Sequence, residues 1–185
     1  MTTPDLQIRN AEPKDAEIVA LLARITFAET FGYLFENHRD DLRAYLDRTF
    51  AVDKMRRSLG KSLNRYWLAA AAGLPVGFAK LKYRSPIPMA PMPLAQDGNV
   101  AQLQKIYVLR EFVGQGIGKP LIETVLSDAT SRNTDSVWLD VLKENNRAIL
   151  FYQRRGFMLL GDDTYTIGAQ TFAFHLMVLR TVRLP

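Results

Sequence analysis

The stretch "YVLREFVGQGIGKPLIETVL", Tyr107 to Leu126, carries glycines at alternate positions 114, 116 and 118. A β-rich run precedes them and an apolar helical pattern follows. Glycines in such a junction let successive backbone N–H groups aim at one point. A helix start adds free N–H groups and the positive end of its dipole. Pro120 lacks an N–H and is tolerated only in a first helical turn, so the spacing predicts a helix beginning near Gln115 or Gly116. The loop amides would be its free donors, and Lys119 would add charge. The pattern points to an anion, most naturally a phosphate. Two familiar phosphate motifs fail. The third glycine is misplaced for G-x-G-x-x-G, and Val113 and Pro120 break G-x-x-x-x-G-K-[ST]. A plain turn is the bland alternative.

Outward from this loop, "VAQLQKIYVL" reads as the preceding strand, "DSVWLDVL" as the next strand and "NNRAILFYQRR" as a following helix. Upstream, "LQIRN" (6–10) is a short strand and 12–31 a helix with Pro13 in its first turn. Ile18, Leu21, Leu22 and Ile25 are its expected inward face. A helix over 37–50 turns Leu42, Tyr45 and Leu46 inward, and a shorter one covers "VDKMRRSLGKS". "RYWLAAAA" and "VGFAKLKY" flank "GLP" as a hairpin. Pro86, Pro88, Pro91 and Pro93 make 84–98 a loop. "GFMLLGDDTYTI" and "QTFAFHLMVLR" are two further strands. The order is α+β, with neither repeat nor linker.

Composition narrows the chemistry. The 185 residues suffice for one domain with a core, and 48% hydrophobic with 23% charged residues is ordinary for a globular chain. Absence of cysteine excludes disulfides, thiolate zinc sites and a cysteine nucleophile. His38 and His175 are far apart, so no metal site is expected. No signal pattern opens the chain and no apolar run reads as membrane-spanning, so a cytoplasmic protein without membrane contact is expected. The net charge of +5 suits an anionic cofactor, and no basic run suggests nucleic acid.

A second signature lies in "NNRAILFYQRRGF", Asn145 to Phe157. On a helix Asn145, Ala148 and Tyr152 share one face, a polar group, a gap and a phenol, while Ile149, Leu150 and Phe151 leave a separate apolar face. Tyr152 as a core aromatic is the plain alternative.

Together the two signatures resemble the GNAT superfamily of N-acetyltransferases. "VGQGIG" matches [RQ]-x-x-G-x-[GA] except at Val113, and Asn145, Ala148, Phe151, Tyr152, Gly156 and Phe157 match N-x-x-A-x-x-F-Y-x-x-x-G-F throughout. The resemblance covers essentially the whole chain. It implies one domain over 1–185 with a mixed, mostly antiparallel sheet of about seven strands flanked by helices. It implies transfer of the acetyl group of acetyl-CoA to an amine by direct attack. Ile106, Tyr107 and Val108 would pair with the pantetheine through their backbone. Val113, Gly114, Gln115, Gly116, Ile117, Gly118 and Lys119 would bind the pyrophosphate. Asn145, Ala148, Phe151 and Tyr152 would line the cofactor, with Tyr152 as general acid. Val113 leaves that cradle to backbone amides alone.

Amines are mostly protonated at neutral pH, so a base is needed. Asp140, five residues before Asn145, stands where some members carry a carboxylate, and an acid within "VWLDVL" is unusual for a buried strand. An Asp satisfied by a backbone amide is the alternative. Gln102 occupies a position where other members have a glutamate and cannot act as a base. Glu29 is a further candidate. The segment "TFAETFGYLFENHRDDLRAYLDRTF" resembles the bacterial spermidine/spermine N-acetyltransferases, which places Glu29, Phe31 and Tyr33 at the acceptor. Residues 29–53 hold six acids, Glu29, Glu36, Asp40, Asp41, Asp47 and Asp53, against three arginines, Arg39, Arg43 and Arg48, a net of 6 − 3 = 3 negative charges suited to a polycation. A solvated helix face is the plain alternative. A protein N-terminus or lysine, an amino acid or an aminated drug are the rival acceptors, and a catalytically idle acetyl-CoA sensor or another nucleotide-binding module the rival functions. Open edges at the terminal strands are compatible with a homodimer.

Overall fold

The computed structural model describes residues 5–88 and 99–181. Pro91 and Pro93 lie outside them, and of the expected loop 84–98 only residues 84–88 are described. The elements are β1 (Leu6–Asn10), α1 (Ala16–Phe31), α2 (Arg39–Thr49), α3 (Val52–Leu59), β2 (Asn64–Ala71), β3 (Leu74–Tyr83), β4 (Val100–Val108), α4 (Gly118–Ser131), β5 (Ser136–Leu142), α5 (Asn146–Gln153), β6 (Met158–Ile167) and β7 (Gln170–Arg180). Short 3-10 turns, Pro13–Asp15 and Gly32–Phe35, flank α1. The seven strands form one sheet in the order β1-β2-β3-β4-β5-β7-β6. β1 and β2 are antiparallel, as are β5 with β7 and β6 with β7, and β4 runs parallel to β5. This is the mixed, mostly antiparallel α+β sheet that the sequence implies. The edges are β1 and β6, because β7 inserts between β5 and β6.

By contacts the chain divides into two compact units, Met1–Leu81 with Lys105–Val125 and Lys82–Gln104 with Leu126–Pro185. In the first unit α1 departs from expectation. Leu22 is buried, but Ile18, Leu21 and Ile25 are 38%, 59% and 39% exposed. The inward face is Ala16, Val19, Ala20, Leu22, Ala23, Thr26 and Phe27. Small side chains allow close backbone approach, and the core gains its volume from rings instead. Phe27 meets Phe31, Tyr45 and Phe50 at 4.7, 4.8 and 5.7 Å between centroids, and Tyr107 meets Phe31 and Phe78 at 6.5 and 5.8 Å. The run Pro13–Phe35 is also long and apolar enough, by length and composition, to cross a membrane, which corrects the reading that no such run exists. Its small-residue face is buried in the first unit, and α1 touches α3.

Backbone geometry explains the hairpin. Ala72 and Gly73 both have positive φ, 49° and 79°, as a two-residue I′ turn requires, so Leu74 and Pro75 belong to β3 rather than to the turn. The pair β3–β4 leaves no room at Gly77, where a Cβ would stand 2.7 Å from the Tyr107 carbonyl oxygen. The second unit is tied by Trp138 Nε1, which donates to the Ser85 carbonyl at 2.7 Å, with Ile87 buried beside Trp138, Val100, Leu176 and Val178.

The start of α1 is fixed by charge. Buried Asp15 accepts from both Arg9 guanidinium nitrogens at 2.7 and 2.8 Å and from the Glu12 amide at 2.8 Å. The Arg9 hydrogen bonds hold its carboxyl down at about 2 against a drag from burial. Asp15→Ala should cost about 2–3 kcal/mol in denaturant unfolding, the range for hydrogen bonds to a charged group. The lowered pKa makes this contribution complete above about pH 4 and lost as pH falls through 2, so wild type and variant should converge in stability in strong acid.

Candidate active site

In the first unit the glycine loop has the conformation its sequence suggests. Gly114 and Gly116 have φ of 93° and 87°, and a Cβ at Gly116 would meet nothing within 4 Å, so this glycine is needed for its backbone angle and not for space. Val113 to Gly116 are exposed, while Ile117 is buried and anchors the loop. The helix begins at Gly118, two to three residues later than expected, because the Gln115 amide is spent on the Phe112 carbonyl at 3.3 Å. Pro120 still falls in the first turn. The amides of Gly118 and Lys119 precede the first intrahelical bond, Leu121 to Ile117 at 3.2 Å, and are the helix's free donors. Lys119 lies 3.9 Å from Glu123, both exposed, so its charge is shared.

β4 pairs with β5 only at Val100–Ser136, Ala101–Val137 and Gln102–Trp138. Both strands continue, β4 to Val108 and β5 to Leu142, without further pairing to each other. Ile106, Tyr107 and Val108 lie beyond the last of these β4–β5 pairs.

Also in the first unit, Glu29 is occupied. Its carboxylate accepts from the Arg110 amide at 3.0 Å and its carbonyl from the Arg110 guanidinium at 2.6 Å, which ties the end of α1 to the turn after β4. Phe31 is a core ring against Phe27 and Tyr107, and Tyr33 is 56% exposed. Part of the acidic excess in 29–53 is met by ion pairs, Asp47 with Arg24 at 2.8 Å and Asp53 with Arg56 at 2.9 Å, and Asp41 lies 3.7 Å from His38.

In the second unit, Asn145 is the N-cap of α5, its side-chain oxygen accepting from the Ala148 amide at 3.1 Å. Its NH₂ group remains available to a ligand. Tyr152 is buried between Phe151 and Phe157, with centroids at 5.4 and 5.6 Å. Burial holds its phenol well above the ordinary range, partly offset by the Arg155 cation. The expected apolar face is incomplete: Ile149 and Phe151 are half-buried, but Leu150 is 52% exposed. Arg155 stacks on Phe151 at 3.5 Å and donates to its carbonyl at 2.6 Å, a partnership that no local pattern announces.

Asp140 and Gln102 meet. Gln102 Nε2 donates to Asp140 Oδ2 at 3.4 Å, and Gln102 Oε1 accepts from Gln104 Nε2 at 2.8 Å and Ser85 Oγ at 3.4 Å. Asp140 reaches solvent, yet the sheet surrounds enough of it to penalise its charge. Together with the negative charge of half-buried Asp163, this pushes its carboxyl up to about 6, against the stabilising Gln102 bond. Asp163 is the residue that sequence reasoning misses; it sits in the strand β6, two strands from β5 in the sheet order.

The profile of the Acetyltransferase (GNAT) family matches residues 26–157. An uncharacterised N-acetyltransferase from the pepI 3′ region of Lactobacillus delbrueckii subsp. lactis is 25% identical over 167 residues, 88% of this chain and 90% of the relative. Among solved structures, the PaiA N-acetyltransferase of Thermoplasma acidophilum in complex with coenzyme A superposes with a TM-score of 0.75 at 19% identity, covering 96% and 99% of the two chains. Arabidopsis thaliana NAA60 in complex with acetyl-CoA gives a TM-score of 0.69 at 19% identity over 95% and 98%. At these identities the structures speak for the fold.

The Asp140 carboxyl should titrate near pH 6 by side-chain carbon NMR. Asp163→Asn should lower that midpoint and Gln102→Leu raise it. A midpoint that moves in either opposite sense would contradict the repulsion by Asp163 or the stabilising Gln102 bond.

Proposed function

The chain belongs to the GNAT acetyltransferase family and is an acetyl-CoA-dependent N-acetyltransferase; from that premise we propose that its acceptor is a small polybasic amine of the spermidine class and that Asp140 prepares it. The Gln102–Asp140–Asp163 arrangement carries this reading. A carboxyl near 6 is mostly ionised at neutral pH and still basic enough to relay a proton from an ammonium. A diamine presents two such groups. Asp140 takes the proton of the reacting nitrogen, and Asp163 holds the charge of the other. This places the polycation site in the second unit rather than at the acids of residues 29–53, of which Asp47 and Asp53 are ion-paired, and it leaves Glu29 as a tether.

Acetyl-CoA supplies the acetyl group as a thioester. The residues present suit it. The amides of Gly118 and Lys119 and the turned glycines would receive the pyrophosphate, with Val113 contributing no side-chain donor. The stretch of β4 beyond its pairing with β5, at Ile106, Tyr107 and Val108, would hydrogen-bond the pantetheine arm, the Asn145 NH₂ would add a donor, and Ala148 would keep the approach open. Tyr152 remains protonated at every working pH, and among the described residues its hydroxyl makes no hydrogen bond, so it can donate to a sulfur that gains charge. Its raised pKa favours a strong hydrogen bond over complete proton transfer. Phe151 and Phe157 hold the ring in place.

Tyr152→Phe should lower kcat by about 10²-fold with acetyl-CoA affinity kept, the loss typical for one donor to a developing anion. An unchanged kcat in steady-state kinetics would remove that role. In a screen of spermidine, spermine, putrescine, amino acids, peptides and aminoglycosides, kcat/KM should be highest for a polyamine; a peptide or amino acid in first place would overturn the acceptor class. Asp140→Asn should abolish the acidic limb of the pH–rate profile near pH 6.

A further inference from the structure

Gln102 sets a neutral amide beside the Asp140 carboxyl, and the groups behind that amide decide which end of it Asp140 meets. A glutamine side chain ends in an acceptor oxygen and a donor nitrogen, which trade places by a half-turn. An ionised carboxylate accepts and never donates, so only the NH₂ end stabilises it. Gln102 Nε2 faces Asp140 Oδ2 at 3.4 Å. At the other end Gln102 Oε1 accepts from Gln104 Nε2 at 2.8 Å and from Ser85 Oγ at 3.4 Å. A half-turn of Gln102 would set NH₂ against NH₂ at Gln104 and oxygen against oxygen at Asp140.

Both donors are held in place. Gln104 follows Gln102 by two residues on β4, so the two share a face of the sheet. Ser85 is buried, its amide donates to the Val100 carbonyl at 3.1 Å, and its carbonyl accepts from Trp138 Nε1 at 2.7 Å. The chain reaches it through Arg84, whose φ of 50° is a conformation that a residue with a side chain adopts at a cost. The remaining surroundings of Asp140 leave this row as its hydrogen-bonding support. Beside it β7 presents Phe174, Leu176 and Val178 on the same face, none of them charged. His175 alternates to the other face and pairs with Asp162. Asp163 of β6 is the charge that acts on Asp140.

We infer that Gln104 and Ser85 are positioning residues for the acetyl transfer: they hold the Gln102 amide with its NH₂ toward Asp140 and so keep that carboxyl ionised and ready to take a proton. The inference rests on Asp140 as the base. Neither residue carries a charge, so each acts through the orientation of Gln102. Their effects on Asp140 should therefore vanish once Gln102 is gone.

The test follows the Asp140 midpoint by side-chain carbon NMR in wild type, Gln104→Leu, Ser85→Ala, Gln102→Leu and the double variant of Gln102→Leu with Gln104→Leu. Gln104→Leu should raise the midpoint by about half a pH unit, about threefold in the acidity constant, because the freed amide no longer favours the ionised carboxyl. Ser85→Ala, which keeps both backbone ties of Ser85, should raise it by less. Adding Gln104→Leu to Gln102→Leu should move it no further. The acidic limb of kcat/KM against pH should shift upward with the midpoint in Gln104→Leu, while the KM for acetyl-CoA stays as in wild type. A midpoint that stays or falls in Gln104→Leu and Ser85→Ala, or a Gln104→Leu shift of the same size with and without Gln102, would overturn the positioning role. A limb that stays while the midpoint moves would instead reject Asp140 as the base, and with it any part of this row in the reaction.

Discussion

The structure turns on how briefly β4 and β5 pair. Three residue pairs join them, and then each strand runs on without the other. A strand edge that carries unspent N–H and C=O groups must find partners in water or in a ligand. The backbone role proposed for Ile106, Tyr107 and Val108 follows from this short pairing. The arm of acetyl-CoA is an extended amide chain and can complete such an edge as a strand would. The glycine loop follows β4 after one short turn, Arg110–Phe112, and α4 starts only where the glycines have finished turning.

The elements are legible in the sequence because glycine, proline and periodicity mark them. Their inner detail is less so. On α1 a count of large aliphatic residues selects Ile18, Leu21 and Ile25, but the helix turns its alanines inward. Hydrophobicity rewards size, whereas a helix seated closely against aromatic rings rewards smallness. Spacing places the start of α4 too early because the Gln115 amide, a free donor by pattern, is bonded back to Phe112. Both are matters of tertiary geometry that spacing alone does not carry.

The same division holds at the site. Tyr152, Asn145 and the glycines are visible as local patterns. Gln102 and Asp140 each stand out in the sequence, but their hydrogen bond joins residues 38 apart, and no pattern links them to Asp163. Glu29 looks free in sequence because its partner, the Arg110 amide, is 81 residues away.

The place of β7 has a consequence for how the protein is made. It follows every other strand in sequence yet lies between β5 and β6. Until residues 170–180 leave the ribosome, β5 has one bare edge, and its long register with β7, from Ser136–Arg180 to Leu142–Phe174, does not exist. The second unit therefore cannot close gradually during synthesis. It closes late, once the last strand is available to join β5 to β6, and until then β5 presents an edge without its antiparallel partner.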